Sequence, residues 1–285
     1  MERNSDIREF LTSRRAKITP DRAGLPAYGS KRRVQGLRRE EVAMLAGISV
    51  EYYTRLERGT TSGVSEDVLE GIARALQLDE AERAHLFDLV RTANHSRPGR
   101  SRPAQERVRP TIQRILDAMV GVPAYVRNGR LDILSANRLG AALYAPVLED
   151  PTGPPNMARF IFLNANATGF FASWDGIASD AVAILRAEAG RDPYDKRLSD
   201  LIGELSTRSE EFRVRWAAHN VKFHRAGAKQ LHHPVVGDLE LSYEALELPG
   251  DSGQRILVYT AEPGTPSQER LDLLASWSAT PTQAV

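Results

Sequence analysis

The stretch from Glu40 to Gly59, EEVAMLAGISVEYYTRLERG, limits the fold more tightly than any other part of the chain. Glu40 to Ala46 has helical periodicity with Val42, Leu45 and Ala46 facing inward, and Gly47 can take the left-handed conformation that ends a helix. Ser49 follows where a side-chain oxygen caps the start of the next helix. The two helices are therefore joined by a very tight turn, and Ala43 is small where their backbones pass. That is helix-turn-helix grammar. In the second helix Tyr53 and Leu56 point to the core, which leaves Val50, Glu51, Thr54, Arg55 and Arg58 on a face with no apolar partner. In this motif the start of the second helix enters a DNA major groove, whereas a plain helical hairpin would carry only a solvated face there.

Charge favours the groove reading. The chain is nearly neutral at +1, but residues 1–60 carry 13 Lys plus Arg against 8 Asp plus Glu, a net of +5, and residues 61–285 sum to −4. A basic leading module ahead of a mildly acidic body is a footprint of nucleic-acid binding. The same region has a helical stripe at Ile7, Phe10 and Leu11, a second at Leu69, Ile72, Ala73 and Leu76, and a third at Leu86, Leu89, Val90 and Ala93. Ser65 and Asp79 occupy N-cap positions, and Asp79 with Glu82 has capping-box spacing. The expectation is a five-helix domain over residues 1–93 with the helix-turn-helix at 39–58. Residues 94–107, NHSRPGRSRPAQER, join prolines, a glycine and arginines without apolar periodicity and read as an exposed linker.

Residues 108–285 alternate between two kinds of pattern. VPAYVRNGRLDILSAN gives two short strands around Asn128-Gly129, a hairpin signal. Helical stripes follow at Ile177, Ala181, Ile184 and Leu185, at Leu198, Leu201, Ile202 and Leu205, and at Phe212 and Trp216. LHHPVVGDLELSYEALEL and QRILVYTA supply about three more strands. Two strands, a helical middle and three strands is the order of an α+β, PAS-like domain. The middle is rich in aromatic groups, and a sheet-and-helix shell of this kind either encloses an apolar pocket or is simply filled by them.

KRRVQGLRREEVAMLAGISVEYYTRLERG resembles the XRE (Cro/repressor-like) helix-turn-helix of bacterial transcriptional regulators, and NRLGAALYAP, NMARFIFLN, SEEFRVRWAAHN, HHPVVGDLELSYEALELP and LVYTAEPG extend the resemblance to the branch with an MmyB-like C-terminal domain. The resemblance implies a homodimeric, cytoplasmic regulator whose PAS-like domain binds a small lipophilic, fatty-acid-like effector. By its pattern Arg32, Arg33, Arg38 and Arg39 are placed to meet phosphates of double-stranded DNA, while Ser49, Val50, Glu51, Thr54, Arg55 and Arg58 read base edges or adjacent backbone. Glu51 either accepts from a cytosine amino group or steadies Arg55 at i+4. The expected ligand wall is Phe162, Trp174, Phe212, Trp216 and Tyr243, with Asn137, His219 or His233 as the polar contact. Asn164 and Asn220 stand where relatives usually have Asp, which bears on the charge of the ligand. The alternative is a DNA-binding regulator whose second half only dimerises.

Other functions lack their parts. There is no cysteine, no G-x-S-x-G elbow and no Gly-rich phosphate loop after a strand, so neither an enzyme nor a cofactor is expected. His219, His224, His232 and His233 fall within fifteen residues, but His232 and His233 are neighbours on a strand and face opposite ways, so no metal site is expected. The first residues are charged throughout and no stretch nears the roughly 18 apolar residues of a spanning helix, which predicts no contact with a membrane.

Overall fold

The computed structural model describes residues 2–25, 34, 36–94, 107–151, 153–218, 226–250 and 253–279. The chain forms two compact units, one made of residues 1–100, 186–199 and 216–223, the other of 101–185, 200–215 and 224–285. The second half of the sequence therefore contributes two segments to the first unit. The linker expected at 94–107 lies, from residue 95 to 106, outside the described residues.

In the first unit the expected five helices are α1 (Glu2–Lys17), α2 (Arg39–Ala46), α3 (Val50–Glu57), α4 (Glu66–Ala75) and α5 (Glu80–Asn94). Their caps are those the sequence announces. Gly47 ends α2 with φ 70°, Ser49 Oγ accepts from Tyr52 N at 3.1 Å, Ser65 caps α4, and Asp79 and Glu82 bond each other's backbone N–H. The core joins Ile7, Phe10, Leu11, Leu37, Val42, Tyr53, Leu56, Ile72 and Leu86. Two details differ from expectation. In α2 the buried pair is Val42 and Ala43, while Leu45 is exposed. A close helix approach not foreseen from the sequence also appears: a Cβ on Gly71 of α4 would lie 2.8 Å from the Ala46 carbonyl oxygen.

The second unit is built on one antiparallel sheet in the order β2-β1-β5-β4-β3, from β1 (Ala124–Arg127), β2 (Ile133–Ala136), β3 (Ala226–His233), β4 (Gly237–Glu247) and β5 (Arg255–Thr260). The β1–β2 hairpin exists, but its loop runs from Asn128 to Asp132 rather than closing on Asn128-Gly129. Asn128 receives Leu131 N–H on its carbonyl and Asp132 N–H on its side chain, with Leu131 at φ 67°. A side-chain amide that can bond its own loop has thus displaced the two-residue turn. One sheet face packs Ala124, Val126 and Ile256 against Ile112 and Leu116 of α6 (Pro110–Ala118). The other carries Tyr125, Leu257, Tyr259, Tyr243, Leu241, Lys229 and Leu231, all buried. Between β2 and β3 run α7 (Arg138–Leu143), α8 (Ala145–Leu148), α9 (Met157–Leu163), α10 (Ala167–Phe170), α11 (Trp174–Arg191), α12 (Lys196–Arg208) and α13 (Glu210–Ala217), and α14 (Pro266–Ala279) closes the chain.

Candidate DNA-reading face and ligand-domain interior

The outer face of α3 is held from beneath by one carboxylate. Glu57, fully buried at the end of α3, accepts from Thr12 Oγ1 at 2.9 Å, Arg15 Nη2 at 2.9 Å and Arg39 Nε at 2.8 Å. Burial raises its pKa, but the hydrogen bonds from Arg15, Arg39 and Thr12 outweigh that and keep the carboxyl below its usual range. Three helices are thereby locked together: α1 through Thr12 and Arg15, α2 through Arg39, α3 through Glu57 itself. Because Arg39 is bound through Nε, the rest of its half-exposed guanidinium faces outward beside the start of α2. Arg38 is exposed too, and its backbone N–H bonds Glu41 in a capping box.

Above this frame Ser49, Val50, Glu51, Arg55 and Arg58 are exposed and Thr54 half-buried, while Tyr53 and Leu56 are buried as expected. The Arg55 guanidinium rests 5.6 Å from the Tyr52 ring centroid and makes no ion pair with Glu51. The i+4 role for Glu51 is thus not taken up, which leaves its carboxylate directed to solvent. Arg32 and Arg33 lie outside the described residues.

In the second unit the expected wall residues fall into separate groups. Phe162 meets Phe212 edge-on at 5.1 Å and Trp174 at 6.2 Å, and Trp174 Nε1 donates to Ile161 O at 3.0 Å. Tyr243 belongs instead to a cluster with Tyr259 at 5.9 Å, and Tyr259 in turn meets Tyr144 at 5.5 Å and Tyr125 at 6.0 Å. Trp216 is in the first unit, 4.1 Å beneath the Arg186 guanidinium.

The expected polar contacts are occupied by backbone. Asn137 Oδ1 accepts from Ala124 N and Gly140 N, and its Nδ2 donates to Met119 O and Val122 O. His233 Nε2 lies 3.1 Å from Ala142 O, with Val235 N and Val236 N donating to Nδ1. Asn164 donates to Asp150. His219, His224 and Asn220 lie outside the described residues. His232 is exposed and His233 buried, as alternation requires. Among the described residues no cluster of three or more His, Asp or Glu is placed to hold a metal, and no helix is long and apolar enough to cross a membrane.

Sequence reasoning missed Lys229. It is buried within the tyrosine cluster, its Nζ 3.3 Å from Tyr259 Oη. Its position on β3 between exposed Ala228 and exposed Gln230 carries the signal: inward alternation gives Lys229, Leu231 and His233. On the outer sheet face a groove of about 660 Å³ has a mixed lining, with Gln230, His232, Asp238, Glu240 and Arg270 beside Ala228, Leu239 and Pro266.

Comparison with known families gives two matches. The model for the MmyB-like transcription regulator ligand binding domain matches residues 108–274, and a helix-turn-helix domain model matches residues 11–86. No curated protein matches the chain.

Proposed function

The chain belongs to the MmyB-like transcription regulators, with a DNA-binding helix-turn-helix ahead of a ligand-binding domain, and on that premise we propose that it is a sequence-specific, homodimeric XRE-type regulator, cytoplasmic in location, whose PAS-like domain senses a small lipophilic, fatty-acid-like effector. The observation that carries the DNA half is the exposed row Ser49, Val50, Glu51, Arg55 and Arg58 on a helix fixed by the Glu57 network. A rigid support is what base-edge contacts need, since the side chains must reach a fixed donor and acceptor pattern. Arg38 and Arg39 are assigned to phosphates, together with Arg32 and Arg33 from the preceding segment. Among the described residues of the second half, two strands, seven helices and three strands closing one sheet support the PAS-like reading. Phe162, Trp174, Phe212 and Tyr243 are assigned to apolar contact with the effector.

The test compares Arg38→Ala and Arg55→Ala on a duplex selected from a random pool by the full chain and on its scrambled version. Loss of a phosphate contact weakens both duplexes alike, whereas Arg55→Ala is expected to cost about 1–3 kcal/mol on the selected duplex and little on the scrambled one. Equal losses on both for Arg55→Ala would remove it from base reading.

A further inference from the structure

Lys229 is a group that the proposed function leaves without a task. It is 6% exposed, and its Nζ stands 5.3, 5.6 and 6.0 Å from the ring centroids of Tyr243, Tyr259 and Tyr144. Its Nζ hydrogen-bonds Tyr259 Oη, which lies 3.4 Å from Tyr125 Oη. Among the described residues no carboxylate comes within ion-pair distance; Asp180 acts on it only through its field, and Arg127 acts in the opposite sense. Burial, reinforced by Arg127, pulls the amine down to about 7, so a large fraction carries a free lone pair at neutral pH. A methionine would fill the same space without this penalty, so stability does not explain the lysine. A desolvated amine among phenols is instead how nucleophilic lysines are prepared.

We propose that Lys229 captures an aliphatic aldehyde as a reversible imine, the aldehyde chain occupying the apolar interior; this rests on the sensor reading above and names the effector's reactive group. The amine lone pair bonds to the carbonyl carbon while the C=O π pair moves to oxygen, which takes a proton through the Tyr259 hydroxyl as nitrogen gives one up. The C–O bond of the carbinolamine then breaks as the nitrogen lone pair forms C=N, the departing hydroxyl takes the proton that nitrogen loses, relayed through the Tyr259 hydroxyl, and one water leaves. No oxidant or reductant is needed. The fold supplies an approach. β3 is last in the sheet order, and although Phe171 and Ala172 bridge its free side at Leu231 and Gln230, Ala226, Gly227 and Ala228 at its start are exposed. The Tyr243 phenol lies over Gly227, where a Cβ would come within 2.9 Å of its hydroxyl, so this one side chain spans from the sheet edge to Lys229.

The chain has five lysines, Lys17, Lys31, Lys196, Lys222 and Lys229, which makes the test selective. The full-length protein is incubated with substoichiometric decanal and sodium cyanoborohydride, and the reduced adduct is mapped by peptide mass spectrometry. Adduct is expected at Lys229 at least about tenfold faster than at any other lysine, lost in Lys229→Met and accelerated in Tyr243→Ala. Even labelling across the lysines, or none at Lys229 in the wild-type protein, overturns the proposal, and neither outcome depends on a variant folding. Decanoate and decanol in parallel thermal-shift assays separate the two levels. If either raises Tm while Lys229 stays unmodified by decanal, the imine fails and the sensor reading stands. If none of the three binds, both fail.

Discussion

At the scale of single residues, Glu57 and Lys229 show opposite ways of burying a charge. Glu57 is surrounded by donors, so its charged form is the stable one; Lys229 is desolvated and feels the Arg127 charge, so its charged form is disfavoured. The sign for Glu57 follows directly. Its folded pKa lies below the ordinary carboxylate value, so its contribution is fully present above that value and is lost as pH falls through the folded pKa. Glu57→Gln should therefore lower stability by about 3 kcal/mol at neutral pH, the scale for breaking a buried ion pair, and its deficit against the wild type should shrink in acid. Urea unfolding at several pH values measures this. A deficit independent of pH would show that packing, not charge, makes the difference.

At the scale of elements, propensity and packing pull against each other at Gly71. In an exposed helix, alanine in place of glycine gains about 1 kcal/mol. In α4 the glycine is buried and its missing Cβ is what lets the Ala46 carbonyl approach, so Gly71→Ala should instead cost about 1–3 kcal/mol through overpacking. Thermal unfolding decides, and a raised Tm would show that α2 and α4 can part without loss. The caps of α3, α4 and α5 were legible beforehand because capping is a contact between near neighbours in sequence. The α2–α4 contact was not, since nothing local distinguishes Gly71 from an ordinary helix interruption.

At the scale of the whole molecule, the core of the first unit, among the described residues, is drawn from residues 7–93, so a piece cut after Arg107 keeps that apolar centre. It lacks residues 186–199 and 216–223, which belong to the same compact unit. In the dimeric reading it also loses its partner, and with it the effective concentration that couples two half-site readers. The piece should bind the selected duplex at least about tenfold more weakly than the full chain, measured by fluorescence anisotropy at fixed salt. Equal affinity would mean that residues beyond 107 do not organise a dimer.

The sequence by itself determined the helix-turn-helix, its caps, the outward row from Ser49 to Arg58 and the strand–helix–strand order of the second half. Each of these depends on periodicity or on neighbours a few residues apart, and both are written along the chain. Only the tertiary structure decided which aromatic side chains meet: Phe162 with Trp174 and Phe212, Tyr243 with Tyr259. It likewise turned Asn137 and His233 toward backbone and placed Lys229 among tyrosines drawn from α7 to α8, β4 and β5. Those contacts join residues up to 134 positions apart, as Tyr125 and Tyr259 are. Sequence periodicity states which face of an element is buried, but the partner on the other side is chosen by how the sheet and helices close on one another.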